Sequence, residues 1–330
     1  MPSLLEVRGL TKLFPVKAGG FASQRGKMLR AVHNVSLRVE AGQTLGLVGE
    51  SGCGKSTTGR LVLRLIEPTS GSVKLNGREI TGLSISQLKP LRREMQIVFQ
   101  DPLSSLDPRQ TAGGIVGEPL VVHGVPRTTH QRRIAELFND VELPPDSVQR
   151  YPHEFSGGQR QRISIARALA LKPALIIADE PVSALDASIQ SQILALLKRL
   201  QREHGIAYLF ISHDLAVVRF ISHFVAVMYL GEIAECGPVE SVYQHANHPY
   251  TQALLAAIPR PEPHATPVEP LGGLLPDATN PPVGCAFASR CPYAMERCVR
   301  EAPPNYAVGE RHTSRCWLNE GHAPTSEEQC

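Results

Sequence analysis

The sequence has little net charge and no basic patch. Its 330 residues carry 34 Lys and Arg against 31 Asp and Glu, which leaves a formal net charge of only +3. The two signs are well mixed along the chain, so nothing indicates a surface dedicated to nucleic acid. The length allows one large domain with an appendage, or two modest domains.

The sequence also lacks a long apolar run. Its longest apolar stretches, such as residues 224–230, fall far short of the ~20 residues that a membrane-spanning helix needs. Residues 1–8 show no basic start followed by an apolar run, so we expect no secretory signal and a cytoplasmic location. Any association with a membrane is expected to be peripheral and made through a partner protein.

A phosphate-binding loop is the first feature that indicates chemistry. A strand predicted at residues 43–48 and a helix predicted at residues 55–65 flank a glycine-rich segment, Gly49-Glu50-Ser51-Gly52-Cys53-Gly54-Lys55-Ser56-Thr57. The backbone N–H groups of such a loop and the positive end of the helix bind phosphate oxygens. Lys55 is expected to contact the β- and γ-phosphates of a nucleotide, and the Ser56 hydroxyl to help hold Mg²⁺.

An acidic pair follows an apolar strand predicted at residues 174–178. Asp179 fits a contact to Mg²⁺, direct or through water, and Glu180 fits a carboxylate that orients and partly deprotonates an attacking water. Charged residues directly after a strand often only mark the point where the strand reaches the protein surface. The phosphate loop upstream favours the functional interpretation, so the two features together predict an NTPase.

The order of elements predicts an α/β fold. Strands are expected at residues 175–178 and 207–212, and the helix between them repeats apolar residues at helical spacing: Ile189, Ile193, Leu196, Leu197 and Leu200. This alternation predicts a mostly parallel sheet covered on both faces. Residues 101–160 lack a strong strand signal and are expected to be an insertion of loops and helices. Eight prolines between Pro259 and Pro282 predict a linker or a surface strap.

A signature lies between the phosphate loop and the acidic pair: Phe155-Ser156-Gly157-Gly158-Gln159-Arg160-Gln161-Arg162. With this signature in that order, residues 1 to about 260 resemble the ATP-binding subunit of an ABC transporter. The resemblance implies an ABC-type P-loop NTPase core with an antiparallel β subdomain and a helical insertion. It also implies that the signature binds the γ-phosphate of ATP held by an opposite subunit, through Ser156, Gly157, Gly158 and Gln159. A serine hydroxyl, backbone amides and a helix start together suit an anion.

The same resemblance implies roles for single residues elsewhere. Gln100 matches the glutamine that senses Mg²⁺ and the attacking water, and His213 matches the histidine that contacts the γ-phosphate. Asp186 belongs to residues 183–186, which match a loop that crosses between subunits. Lys55, Asp179, Glu180 and His213 are all intact, which argues against a non-catalytic partner role.

Adenine stacking is implied for Phe14, which matches the family's aromatic position. A flat partner is needed because stacking holds a base without reading its edges. Phe21 lies near it, and residues 15–30 look like an insertion specific to a branch of the family.

Several local sequences narrow the resemblance to the ATPases of dipeptide and oligopeptide importers, closest to the F-type subunit of dipeptide permeases: Phe99-Gln100-Asp101-Pro102, Ser105-Leu106-Asp107-Pro108-Arg109, Tyr151-Pro152-His153, His248-Pro249-Tyr250-Thr251 and Gly284-Cys285-Ala286-Phe287. Such systems pair two different ATPases with two membrane subunits and a solute-binding protein. The resemblance implies hydrolysis of ATP, with Mg²⁺, that energises uptake of dipeptides or short peptides from the cytoplasmic face of the inner membrane. Residues 1–259 would form the nucleotide-binding domain, and residues 260–330 the linker and a C-terminal module.

Four of the seven cysteines crowd into that module: Cys285, Cys291, Cys298 and Cys316. Their spacing is compatible with four thiolates on one centre, and a reducing cytosol disfavours a disulfide framework. The family resemblance implies ligands of a [4Fe-4S] cluster, with tetrahedral Zn²⁺ as the main alternative and no metal as another. Cys53 lies near a helix N-terminus, where a thiolate is favoured, although a small residue also simply fits the loop. No role is assigned to Cys236 or Cys330.

Two alternatives to peptide import remain open at this point. An ATPase never touches the transported substrate, so nickel or glutathione could replace peptides. A soluble ABC protein acting on ribosomes or DNA is a rival of another class. Such proteins usually carry two cassettes in one chain or a long coiled-coil insertion, and the sequence shows neither.

Overall fold

The structure of the chain is a computed structural model that describes residues 3–16, 26–101, 105–258, 272 and 276–325. It divides into two compact units. Unit 1 comprises residues 1–4, 39–44 and 82–212, and unit 2 comprises residues 5–38, 45–81 and 213–330. Phe21 and most of the predicted proline-rich linker lie outside the described residues. Within the described ranges, no helix is both long and apolar enough to cross a membrane.

The strands, in chain order, are β1 (Ser3–Pro15), β2 (Met28–Glu40), β3 (Thr44–Val48), β4 (Ser70–Leu75), β5 (Arg78–Glu79), β6 (Met95–Val98), β7 (Leu175–Asp179), β8 (Ala207–Ile211), β9 (Phe224–Tyr229), β10 (Glu232–Pro238), β11 (Tyr306–Gly309) and β12 (His312–Ser314). The helices are α1 (Lys55–Val62), α2 (Ile85–Leu91), α3 (Ala112–Val122), α4 (His130–Asp140), α5 (Gly157–Leu169), α6 (Ala187–His204), α7 (Leu215–Ile221), α8 (Val239–Gln244), α9 (Pro249–Ala256) and α10 (Glu296–Arg300). Helix α1 ends before residue 65, the predicted end, because Arg64 adopts a left-handed φ of 52°.

Unit 1 contains the predicted parallel sheet and helical insertion. Strand β7 lies between β6 and β8 and is parallel to both, with Ala178 opposite Val98 on one side and Phe210 on the other. Every residue of β7 and β8 is buried, as expected of strands covered on both faces. Among the described part of residues 101–160 there are helices and no strand. Helix α6 carries the predicted apolar stripe, with Ile193, Leu197 and Leu200 buried.

Unit 2 departs from the predicted parallel pattern. Strand β3 is parallel to β9, but the sheet continues through β10, β12 and β11 by antiparallel pairs. The reason lies at the two-residue turn Leu230-Gly231, where φ is 45° and 84°. Two left-handed residues make a tight hairpin turn, and strands joined so closely can only be antiparallel. A second sheet in this unit has the order β2-β1-β4-β5, with antiparallel pairs β1/β4 and β4/β5, as the predicted β subdomain requires.

The C-terminal region adds strands to the main sheet of unit 2. Glu235 and Cys236 of β10 pair with Ser314 and Thr313 of β12, and β12 pairs in turn with β11. The cysteine-bearing segment is therefore continuous with a sheet that also contains β3 and β9. This arrangement does not support the predicted cysteine-rich module as a separate body.

A fully buried carboxylate stabilises this junction. The Glu235 side chain is 0% exposed and accepts hydrogen bonds from the backbone N–H groups of Asn247 and His248 at 2.7 and 3.0 Å. The ring of His312 on β12 lies 2.8 Å away, from Nε2 to the Glu235 carboxylate. Because a buried charge is tolerated only when it is paired and hydrogen-bonded, these partners belong to one structural unit with Glu235.

His248 makes the stability of this region depend on pH. Burial lowers the pKa of His248 to about 4, against an opposing effect of Glu235, and its Nδ1 accepts the Tyr250 N–H at 3.0 Å. The unfolded chain takes up a proton as the pH falls from about 6.5 to about 4 while the folded chain keeps the ring neutral. Folding stability should therefore fall across that window, by up to about 3 kcal/mol from this group.

His248→Asn keeps an acceptor near the Nδ1 position without the titration, so its unfolding midpoint should change less than that of the wild type between about pH 7 and about pH 5. An equal change in both proteins would contradict the assignment.

Candidate nucleotide site

The phosphate loop requires glycine at defined positions. Gly49, Gly52 and Gly54 have φ values of 152°, 80° and 109°. A Cβ on Gly49 would lie 2.1 Å from the carbonyl oxygen of Met228, and one on Gly54 would lie 2.3 Å from that of Ala31. These approaches exclude a side chain at both positions, so the loop has the bare backbone that phosphate binding needs.

Lys55 is held by the start of the same loop. Its side chain is buried, and Nζ donates to the carbonyl oxygens of Gly49 and Glu50 at 2.8 and 2.9 Å. Four more of the residues predicted to contact phosphate or Mg²⁺ lie on the loop or on the first turn of α1: Ser51, Gly52, Ser56 and Thr57. The predicted strand-loop-helix context is thus present in unit 2.

Cys53 differs from the expectation that its position favours a thiolate. The residue is 4% exposed, and burial raises the pKa of its thiol, although the Lys55 ammonium opposes that shift. Desolvation of the thiolate is the larger effect here. The structure thus agrees with the simpler interpretation, that a small residue fits the tight loop.

The acidic pair lies at the end of β7 in unit 1. Asp179 is buried, whereas Glu180 adopts a left-handed φ of 48°. Its backbone N–H donates to the carbonyl oxygen of Ile211 on the neighbouring strand at 2.9 Å. A non-glycine residue in this conformation costs on the order of 1 kcal/mol and persists where its surroundings hold it, which is common at functional sites.

Gln100 and Glu180 are brought together although 80 residues separate them. The side-chain amide of Gln100 donates from Nε2 to Glu180 Oε2 at 2.9 Å. Gln100 follows β6 and Glu180 follows β7, and parallel neighbouring strands bring their carboxyl ends to one edge of the sheet. The sequence analysis assigned both residues to the attacking water, but it did not predict this hydrogen bond between them.

The signature forms the start of helix α5. Ser156 is the N-cap, its Oγ accepts the Gln159 N–H at 3.3 Å, and the Gln159 side chain accepts the Ser156 N–H at 3.0 Å. This reciprocal capping box fixes the helix start while Ser156 and Gly157 remain exposed. Gly158 is buried against α6, because a Cβ on it would lie 2.5 Å from Cγ2 of Ile189.

The remaining predicted site residues are positioned by local structure. Asp186 caps α6 by accepting the Ile189 N–H at 3.0 Å, and this bond is the main reason why its pKa is lowered. His213, in unit 2, is exposed just before α7. Phe14, on β1, is half-buried with the Lys12 ammonium 5.0 Å from its ring centre.

Glu50, within the phosphate loop, is a residue to which the sequence assigned no role. Both of its carboxylate oxygens accept hydrogen bonds from Arg290, at 2.7 and 2.9 Å. Its backbone N–H donates to the Tyr250 hydroxyl at 2.9 Å. The sequence segments around Tyr250 and Phe287 resemble those of peptide importers and lie near this contact. Nothing in them indicates that Arg290 pairs with Glu50, 240 residues away.

The four clustered cysteines share one neighbourhood in unit 2. Burial, helped by the charges of Cys316, Cys298 and Cys291 and opposed by a hydrogen bond from the Phe287 backbone, raises the pKa of Cys285 to about 11. Burial also raises the pKa of Cys316 to about 11. All four are free thiols. Yet among the residues that the structure describes, no three His, Cys, Asp or Glu side chains are arranged to hold a metal ion, so the predicted metal centre is not supported.

Comparisons with known proteins agree with this set of features. The ABC transporter family model matches residues 32–183, and the model for the C-terminal region of oligopeptide/dipeptide transporters matches residues 234–298. The ATP-binding cassette MJ0796, solved as a dimer bound to ADP and Pi, superposes with a TM-score of 0.62 at 31% identity, covering 71% of this chain and 98% of that one. CbiO1 of Clostridium perfringens gives a TM-score of 0.64 at 25% identity, covering 74% and 91%. The fold and the motifs define an ATP-binding cassette ATPase.

The sequence relatives are more specific. The probable peptide ABC transporter ATP-binding protein y4tS of Sinorhizobium fredii is 55% identical over 95% of this chain and 89% of its own length. The di/tripeptide transport ATP-binding protein DppF of Pseudomonas aeruginosa is 48% identical over 95% of this chain and 97% of its own length. The chain belongs to the ATP-binding subunits of peptide ABC transporters, which confirms the family predicted from the sequence.

The two glycines of the signature should respond differently to substitution. Gly158→Ala would force a methyl group into Ile189 and should destabilise the protein by about 1–3 kcal/mol, as overpacking does. Gly157→Ala is the matched control, because its Cβ would meet only Leu185, at an ordinary 3.5 Å. Thermal unfolding of the full chain measures both. Equal midpoints for the two variants would contradict the packing role of Gly158.

Proposed function

We propose that this chain hydrolyses ATP to energise uptake of dipeptides or short peptides by a membrane ABC importer. One combination carries the proposal: a cassette with an intact phosphate loop, signature and acidic pair, followed by a C-terminal region of the oligopeptide/dipeptide transporter type. Relatives whose names specify peptide transport, at about half identity along nearly the whole chain, support the substrate class. Import of nickel or glutathione is the alternative within the same family.

In this proposal the loop and the first turn of α1 bind the nucleotide phosphates. Backbone N–H groups of residues 52–56 bind oxygen atoms, and the ammonium of Lys55 stabilises charge on the β- and γ-phosphates. Mg²⁺, held by the Ser56 hydroxyl, Gln100 and Asp179, would further neutralise the phosphates. Phe14 would stack on the adenine ring.

Glu180 would act on the water that attacks the γ-phosphorus. As the water oxygen bonds to phosphorus, the bond to the β,γ-bridging oxygen breaks, and the water proton passes to the Glu180 carboxylate, giving ADP and inorganic phosphate. The backbone bond to Ile211 and the Gln100 side chain keep the carboxylate in place. His213 would contact the γ-phosphate.

The signature would complete the ATP site of a second, homologous ATPase subunit. Ser156 and Gly157 are exposed at the capped start of α5, where backbone N–H groups can meet an anion from another molecule. Asp186 would lie at the same subunit interface. Two membrane permease subunits and a solute-binding protein would complete an assembly with this chain peripheral to the cytoplasmic face of the inner membrane. Residues 1–259 would be the nucleotide-binding domain.

The C-terminal cysteines are proposed to bind a [4Fe-4S] cluster, with Zn²⁺ as the alternative. The support is the spacing of the four thiols and their mutual electrostatic effect in unit 2. Because no metal-ready arrangement is found among the described residues, side chains of Cys285, Cys291, Cys298 and Cys316 would have to reorient on binding. A cluster would supply covalent cross-links to a region with few large apolar residues.

Replacing Glu180 should separate binding from hydrolysis. Glu180→Gln keeps the size of the side chain but removes the carboxylate that accepts the proton, so the assembled transporter should bind ATP normally and lose at least about 99% of the turnover from this chain's phosphate loop. Equilibrium binding of ATP and release of phosphate measure the two consequences, and uptake of labelled dipeptide should fall together with phosphate release. Asp146→Asn, on the exposed surface of the same unit, is the control.

Two outcomes would overturn parts of this proposal. Turnover close to wild type in Glu180→Gln would remove the assignment of the base. Normal ATP turnover with transport of nickel or glutathione but no peptide would replace the substrate while leaving the catalytic assignment intact.

The metal proposal is tested without reference to activity. Full-length protein purified without oxygen should be brown, contain iron and sulfide and bleach on reduction, and Cys291→Ser/Cys298→Ser should be colourless. Zinc without iron would favour the alternative. Colourless, metal-free protein with an ordered C-terminal region would overturn both the cluster hypothesis and the zinc hypothesis.

A further inference from the structure

A carboxylate inside a phosphate-binding loop poses an electrostatic problem. Glu50 lies between Gly49 and Ser51, in the segment proposed to receive the phosphates of ATP. Like charges repel, and the repulsion grows as water is excluded from the site. Without a counterion, Glu50 would weaken the binding of every nucleotide that the loop accepts.

Arg290 supplies that counterion with little freedom of movement. It donates two parallel hydrogen bonds to the Glu50 carboxylate, and its side chain is 4% exposed although Glu50 is 25% exposed. Its Nε donates to the carbonyl oxygen of Gly272 at 3.1 Å, and its guanidinium lies 5.8 Å from the ring centre of Tyr229. A planar fork fixed on several sides holds a carboxylate in one orientation, which a lysine ammonium does not do.

The backbone of Glu50 is anchored as firmly as its side chain. The Tyr250 hydroxyl accepts its N–H, and Lys55 donates to its carbonyl oxygen. Tyr250 packs in turn against Tyr229 and Phe287, with ring centres 4.6 and 5.4 Å away. One loop residue is thus connected to β9, to α9 and to the turn that precedes Cys291.

We propose that Arg290 is a positioning residue of the nucleotide site. By neutralising and fixing Glu50 it keeps the phosphate loop ready for anions, and it couples nucleotide binding to the C-terminal region that bears the cysteines. The inference rests on the proposed role of residues 49–57 as the phosphate site.

The first test is a double-mutant cycle on nucleotide affinity. Calorimetry with Mg-ATP on the full chain should show Arg290→Met weakening binding roughly tenfold, because an unpaired carboxylate then remains within the loop that binds the phosphates. The affinity of the double variant Glu50→Gln/Arg290→Met for Mg-ATP should be within roughly threefold of that of Glu50→Gln alone. The affinity of Arg290→Lys should lie between those of the wild type and Arg290→Met. The loss in Arg290→Met should shrink at high salt, because the exposed part of the Glu50 charge is screened.

The controls distinguish the proposed role of Arg290 from general destabilisation of the protein and from a wrong assignment of the nucleotide site. Arg297→Met removes another arginine of the C-terminal region, one that pairs with Glu301 and Glu320, and should leave affinity unchanged. Lys55→Ala should abolish binding if the loop is the nucleotide site. Unchanged nucleotide binding in Lys55→Ala would overturn the assignment of the nucleotide site. Additive effects of the Glu50 and Arg290 substitutions on affinity would overturn only the role of Arg290. Wild-type affinity in a folded Arg290→Met would do the same.

A second measurement begins with the wild-type chain. Coupling between two sites is reciprocal, so Mg-ATP should slow hydrogen exchange at the backbone amides of residues 285–298 in the wild-type chain. That protection should be absent in Arg290→Lys if the bidentate contact carries the coupling. Exchange unaffected by nucleotide in the wild type would overturn the proposed link to the C-terminal region.

Discussion

The site depends on a loop that must present its backbone to an anion. Gly49 and Gly54 leave no room for side chains, since carbonyl groups of Met228 and Ala31 occupy the space where a Cβ would project. A loop built from bare backbone has few contacts of its own to keep its shape. Its shape is therefore maintained by side-chain hydrogen bonds from Lys55 at the end of the loop and from Tyr250 and Arg290 outside it.

Local features of the site were predictable because their hydrogen bonds lie within a few residues. The loop before α1, the capping box of Ser156 with Gln159 and the cap at Asp186 all follow from residue types at short, fixed spacing. For Gln100 and Glu180 the sequence indicated a shared role at the attacking water, but not the hydrogen bond between them. Both residues follow neighbouring parallel strands, β6 and β7, so the pairing of those strands brings them to one edge of the sheet.

Other features could not be read from the sequence because they depend on distant partners or on backbone conformation. The change from parallel to antiparallel pairing after β9 follows from left-handed φ values at Leu230-Gly231. This pair lacks the Asn or Asp that is usual in such turns. Glu235 and His312 meet across 77 residues, and no periodicity marks either as a partner. Cysteine spacing suggested a metal centre, but spacing alone does not fix where thiols point, and the described residues contain no metal-ready arrangement.

The C-terminal region is better understood as a part of unit 2 than as an appendage. Two carboxylates of that unit, Glu50 and Glu235, obtain their charged or ring partners from residues beyond 285, namely Arg290 and His312. Removing one partner from a buried pair leaves an uncompensated charge, which costs more than the pair itself contributes. The same reasoning explains why a phosphate loop can contain a glutamate at all: its charge is tolerated because a distant segment of the chain neutralises it. Under the role proposed for Arg290, nucleotide binding is a property of the loop together with the C-terminal region.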